Sequence, residues 1–202
     1  MFALVQDNTI TKMISGNRGI TLGDIQYPRS IFSLWSASEK EAIGIYEVVF
    51  NNTNKKDEAY YTNTNQSFAF ADGVVTASFG SATGKLLEDR NEVDEDGVEL
   101  DPVVVIEGLK TKHKRIIKQQ ASSLLIQTDW YVIKATDVES YSAPSAITTY
   151  RANVRTASND METIIDNASD VDALATLYQY VNTGTEEEPV MERPLGEFPE
   201  AV

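Results

Sequence analysis

The feature that most constrains this chain is a change in hydrophobic period part-way along it. Up to about residue 87, short β-favouring runs alternate with turn formers. Phe2-Ala-Leu-Val-Gln and 9–14 flank Asp7-Asn8, and Ile25-Gln-Tyr stops at Pro28. Runs of that length between Gly, Asn, Asp and Pro read as strands. Beyond about residue 103, apolar residues recur three and four positions apart. Ile106, Leu109, His113, Ile116, Ile117, Gln120 and Leu124 share one face of an amphipathic helix expected over about 104–126. At 1.5 Å per residue that helix is ~35 Å long, and Gly108 weakens its first turns, which offers a second start nearer Leu109.

The strand-rich half carries its own punctuation. Asp72-Gly73 between 66–71 and Val74-Val-Thr-Ala-Ser-Phe is a two-residue hairpin signal. Ser30-Ile-Phe-Ser-Leu-Trp and Tyr46-Glu-Val-Val-Phe read as extended. Ser36-Ala-Ser-Glu39 fits a capping box opening a helix over about 37–43, which Gly44 stops. The aromatic runs 59–64 and 66–71 offer Tyr60, Tyr61, Phe68 and Phe70 either to a core face or to a partner at a sheet edge.

Charge separates the two halves. The chain carries 31 acidic against 17 basic residues, a net charge of -14. That balance is wrong for a phosphate backbone, whose affinity depends on basic neutralisation, so nucleic acid is not an expected partner. Acidic residues crowd 88–102, which reads as a linker. Glu92, Asp94, Asp96 and Gly97 match the start of a calcium loop, but its twelfth position, which needs a bidentate Glu, is Val103. The one basic cluster, Lys110-Thr-Lys-His-Lys-Arg-Ile-Ile-Lys118, would serve an anionic partner or form the solvated face of the long helix; the acidic whole favours the second.

Composition removes several chemistries. Without cysteine there are no disulfides, thiol nucleophiles or thiolate metal sites, and a single His113 leaves no multi-His centre. No phosphate-cradling glycine loop, nucleophile elbow or zinc signature is present. The chain is therefore expected to be neither an enzyme nor a cofactor or metal protein. It has no transmembrane-length apolar run, and Met1-Phe-Ala-Leu-Val-Gln-Asp does not open as a secretory signal.

Further on, Thr128-Asp-Trp-Tyr-Val-Ile-Lys reads as a turn and short strand. Pro144 precedes a second helix with Ile147, Tyr150 and Val154 on its apolar face and Arg151 and Arg155 one turn apart. Ser169-Asp-Val-Asp172 resembles a cap for a third helix through Leu174, Leu177, Tyr178 and Val181, ended by Gly184. The residues from 185, with Glu186-Glu-Glu-Pro, Pro194 and Pro199, are expected to be extended and poorly packed.

The fold class expected is α+β. A small, mainly antiparallel β-rich domain with one short helix (1–87) precedes the acidic linker (88–102). A helical region with one long amphipathic helix (103–184) and an extended Pro-containing tail (185–202) complete the chain.

Leu124-Leu-Ile-Gln-Thr-Asp-Trp-Tyr-Val-Ile-Lys, followed by Pro144, Ile147, Tyr150, Arg151, Val154 and Arg155, resembles phage tail assembly chaperones. Those proteins carry a helix ending in Leu-Leu, then Thr-Asp-Trp, an extended segment and a Tyr-Arg helix. The likeness covers about 107–155. It implies a non-catalytic component of a tailed bacteriophage that binds tail or tail-fibre subunits in the host cytoplasm during assembly. The alternative is a permanent virion protein, such as a fibre, an adaptor or a decoration protein, built as a homo-oligomer and retained in the particle. Candidate partner-binding residues are Ile116, Ile117, Leu124, Trp130, Tyr150, Arg151 and Arg155. Trp130 is expected to bury ~200 Å² and staple the long helix to the segment after it, with Asp129 capping the turn or pairing with an Arg.

Overall fold

In the computed structural model, which describes residues 1–202, the chain forms two units, Met1–Thr83 and Gly84–Val202. Both strands and helices are present, as α+β requires.

Two tight turns organise the first unit. Asp7 and Asn8 (φ 49° and 60°) join β1 (Phe2–Gln6) to β2 (Thr9–Ile14). Asp72 and Gly73 (φ 51° and 77°) join β7 (Ser67–Ala71) to β8 (Val74–Ser78). Positive φ at both central residues gives the turn a twist that matches the flanking strands. With β5 (Ile45–Asn51), these strands form one sheet in the order β2-β1-β5-β8-β7, antiparallel except where β5 meets β8. The sheet curls until its edge strands β2 and β7 approach each other. Ala3, Val5, Val48, Val75 and Ala77 pack together within the curl. On the other face Phe2, Leu4, Ile14 and Ile45 meet Ile31 and Phe32. A small hairpin, β3 (Ile20–Leu22) with β4 (Ile25–Tyr27), adds Tyr27 and Leu22 to that cluster. Short β6 (Tyr61–Thr62) and β9 (Thr83–Gly84) lie later in the chain, β9 at the unit boundary.

Two short helices stand where one was expected. Ser30-Ile-Phe-Ser-Leu-Trp is not a strand: its centre forms α1 (Ile31–Leu34). Consecutive Ile31 and Phe32 are both buried in the same cluster, which a strand's alternation of side chains across its two faces disfavours. The capping box opens α2 (Ala37–Glu41): Ser36 N–H donates to Glu39 Oε2 at 2.8 Å, and Glu39 N–H donates to Ser36 Oγ at 3.3 Å. The following turn runs through Gly44 at φ 80°, where a Cβ would stand 2.8 Å from the Val5 carbonyl oxygen.

The second unit is built on α3 (Leu109–Ile126) and α5 (Ser145–Asp166). They run antiparallel, since Lys118 pairs with Glu162 while Lys114 pairs with Asp166. In α5, Ile147, Tyr150, Val154, Met161 and Ile165 are buried at helical spacing around Arg151 and Ser158. Between the two helices lies α4 (Asp129–Asp137), and α6 (Val171–Thr176) comes after α5. The Asp170 side chain caps α6 by accepting from Ala173 N–H at 2.7 Å. No helix is long and apolar enough to cross a membrane.

Four details differ from the sequence reading, while the first long helix starts at Leu109, the later of its two expected starts, because residues 86–89 supply its N-terminal partners. Asp89 accepts from Gly108 N–H at 2.7 Å and from Thr111 Oγ1 at 2.9 Å, while the Leu86 and Leu87 carbonyls accept from Leu109 and Lys110 N–H. A carboxylate there complements the positive end of the helix dipole, and these bonds hold the Asp89 carboxyl below its ordinary range. Gly108 allows the close approach, since a Cβ would lie 2.4 Å from the Leu87 carbonyl oxygen. The expected linker is thus itself bonded: β10 (Arg90–Asn91) pairs with β11 (Val105–Ile106), and Asp94 Oδ1 accepts from Asp96 and Val98 N–H.

Thr128-Asp-Trp-Tyr-Val-Ile-Lys is also not a strand; it begins α4. β-branched Val132 and Ile133 favour extension only where a neighbouring strand covers them, and here neither is covered. The third helix ends at Thr176, so Gly184 lies beyond it, near the hairpin of β12 (Val181–Asn182) with β13 (Met191–Glu192). Nor is the end of the chain unpacked. Leu195 is fully buried and its N–H donates to the Leu177 carbonyl at 3.0 Å, while Phe198 packs on Ala121, Tyr150 and Val154.

Candidate protein-binding surfaces

Arg151 is the hub of the segment expected to carry function. It projects from the second turn of α5 and is buried. Its Nη1 donates to the Leu125 carbonyl and to Thr128 Oγ1, both at 2.7 Å, and its Nη2 pairs with Asp129 at 2.8 Å. Thr128 Oγ1 in turn donates to the Leu125 carbonyl at 2.9 Å. One planar guanidinium therefore fixes the end of α3, the start of α4 and the face of α5. Of the two roles expected for Asp129, pairing with an arginine is the one observed.

The seven candidate residues separate by exposure. Ile117 and Tyr150 are core, at 1% and 4% exposed, and Leu124 packs half-buried beside Tyr150 and Val154. Ile116 lies on the outer side of α3, because the helix turns about 100° per residue and Ile117 takes the inward position. Trp130 is 51% exposed. It stacks on Tyr131 with ring centroids 3.9 Å apart instead of stapling α3. Arg155 is exposed, its only bond an Nη1–H to the Arg151 carbonyl at 3.3 Å.

Between α3 and α5 runs an open groove of about 500 Å³. Small residues make it: Ala121 and Ser158 form the floor where the helices face each other, with Leu125, Ile126, Arg151 and Arg155 around it. Ala121 carries no signal in a search for large apolar residues. Its i,i+4 spacing from Ile117 and Leu125 is what marks it as inward.

Four of the five cations in the basic cluster are paired within their own unit. Lys110 is buried between Glu88 and the Asp166 carbonyl; Lys114 meets Asp166 at 2.7 Å, Arg115 meets Glu107 at 2.7 Å and Lys118 meets Glu162 at 3.1 Å. No three His, Cys, Asp or Glu side chains gather as a metal group.

His113 packs on Tyr178, its Nδ1 2.7 Å from the hydroxyl. Burial lowers its pKa from the ordinary 6.5, so protons bind the unfolded chain more readily than the folded one. The stability this neutral ring contributes is full above about pH 6.5 and is lost as pH falls through the lowered folded value. His113→Gln keeps a polar partner for Tyr178 and should flatten that part of the acid limb. Melting temperatures of both proteins from pH 7.5 to 5 test this; parallel curves would contradict it.

In the first unit, Phe50 and Phe68 flank Ala77 in one cross-strand row. They leave 47% and 36% of their surfaces in solvent. Tyr60 and Tyr61 are buried and Phe70 is half-buried against Tyr46, so of the aromatic strands Phe50 and Phe68, on either side of the buried Ala77, keep the most surface in solvent.

Comparison of the chain with known protein families, curated proteins and solved structures finds no match.

Proposed function

We propose that this chain is a non-catalytic protein-binding component of a tailed bacteriophage, holding tail or tail-fibre subunits during assembly in the host cytoplasm. The setting comes from the resemblance of the Thr128-Asp129-Trp130 and Tyr150-Arg151 segments to phage tail assembly chaperones. The observation that carries the binding itself is the Phe50–Ala77–Phe68 row. Two large aromatic rings left partly in solvent on neighbouring strands suit a partner that covers them. In this reading the β-rich unit presents the binding face, and the helical unit with its long helices serves assembly.

Co-expression with tail and fibre subunits from a tailed phage tests the reading. A stable complex is expected, and Phe50→Ser/Phe68→Ser should weaken it by at least about tenfold, the loss typical of truncating buried aromatic anchors. Absence of any complex would overturn the proposal. Mass spectrometry of purified virions then separates its two forms. Loss from the mature particle marks an assembly factor, and a fixed stoichiometry marks the permanent fibre, adaptor or decoration protein.

A further inference from the structure

Helix α4 lacks what ordinarily holds a helix. It has nine residues and buries none of them, whereas isolated helices shorter than ~12–15 residues are marginal in water. Its start is tied down through Asp129 and Arg151. From there Trp130 and Ile133 stand 51% and 60% exposed, and Asp137 shares their face, at spacings of three and four residues. Asp137 has no ion-pair or hydrogen-bond partner within the chain.

Beside α4, the groove between α3 and α5 has the complementary character. Ala121, Leu125 and Ile126 give it an apolar side. Of its three cations, Arg151 is paired with Asp129 and Lys118 with Glu162, which leaves Arg155 without a carboxylate. Trp130 to Asp137 spans ~10 Å along α4, and Arg151 to Glu162 spans ~16 Å along the groove wall, at 1.5 Å per residue. One unit thus carries both an uncovered ridge ending in a free carboxylate and a groove containing a free guanidinium.

We propose that α4 of a second copy of this chain fills this groove, reciprocally, in a two-fold symmetric dimer. Two-fold symmetry makes each contact occur twice, so a ridge and a groove on the same unit satisfy each other. Trp130 and Ile133 of each copy cover Ala121 and Leu125 of the other, and Asp137 pairs with Arg155 across the interface. That pairing also answers the charge objection. A chain of net charge -14 resists self-association, and the contact unites one of its unpaired cations with an unpaired carboxylate. The inference is independent of the phage setting and uses no surface of the first unit.

Sedimentation equilibrium of the full chain is the test. The expected result is twice the 22.4 kDa chain mass with a dissociation constant in or below the ~10 µM range. Trp130→Ser/Ile133→Ser, at residues already exposed, should give a folded monomer by circular dichroism. Arg155→Asp and Asp137→Arg should each weaken the dimer about tenfold or more, and the double reversal should restore it. A wild-type monomer at ~100 µM, well above that constant, would overturn the proposal. So would a dimer indifferent to the Trp130/Ile133 change, or two charge reversals whose effects simply add.

Discussion

Arg151→Ala is expected to destabilise the helical unit by about 3 kcal/mol, the low end for breaking a buried charged network. The variant removes three bonds at once. The Leu125 carbonyl and Thr128 Oγ1 lose the donor that satisfies them at 2.7 Å, and Asp129 loses its cation at 2.8 Å. Asp129 is half-exposed, so water takes over much of its cost. The greater loss is at the Leu125 carbonyl and Thr128, which is buried. Arg151→Lys should restore less than half, because a single ammonium cannot reach three acceptors arranged around a planar fork. Urea unfolding followed by helix circular dichroism measures both. A loss under about 1 kcal/mol for Arg151→Ala would show that the network is incidental. The variant should also loosen α4 first, since nothing else in the unit buries that helix.

A second large effect should come from one of two neighbouring isoleucines. Ile117→Ala is expected to cost about 3 kcal/mol, within the range for deleting a buried Ile side chain, and Ile116→Ala less than about 0.5 kcal/mol. Their sequence contexts are nearly the same, but Ile117 is 1% exposed and Ile116 is 46% exposed. Equal losses in urea unfolding would mean that α3 is rotated from the orientation described. Near-silence at Ile117 would mean that the interior relaxes into the space left.

The candidate site was legible in part. Ile117, Leu124, Tyr150, Arg151 and Arg155 all lie on the facing sides of α3 and α5 or line the groove between them. Helical spacing found them because a shared face is a property of the local repeat. Trp130 was misread because its size argues for burial, and burial depends on what packs over it. The groove itself was invisible, since it is defined by the small size of Ala121 and Ser158 and by the antiparallel placement of two helices that α4 separates in sequence.

What the sequence determined by itself is local. Asp7-Asn8 and Asp72-Gly73 dictate their turns because few other residues take positive φ readily. Ser36 and Glu39 dictate a helix start because their side chains reach the orphan amides. Residue spacing placed the body of α5 for the same short-range reason. Only the tertiary structure decided the rest. It set the parallel pairing of β5 with β8, the closing of acidic residues 88–102 onto the start of α3, the docking of Leu195 and Phe198, and the helical state of 129–137. Each of these depends on partners distant in sequence. A carboxylate such as Asp89 is the same residue whether it faces water or a helix N-terminus, and only the fold brings the amide within 2.7 Å.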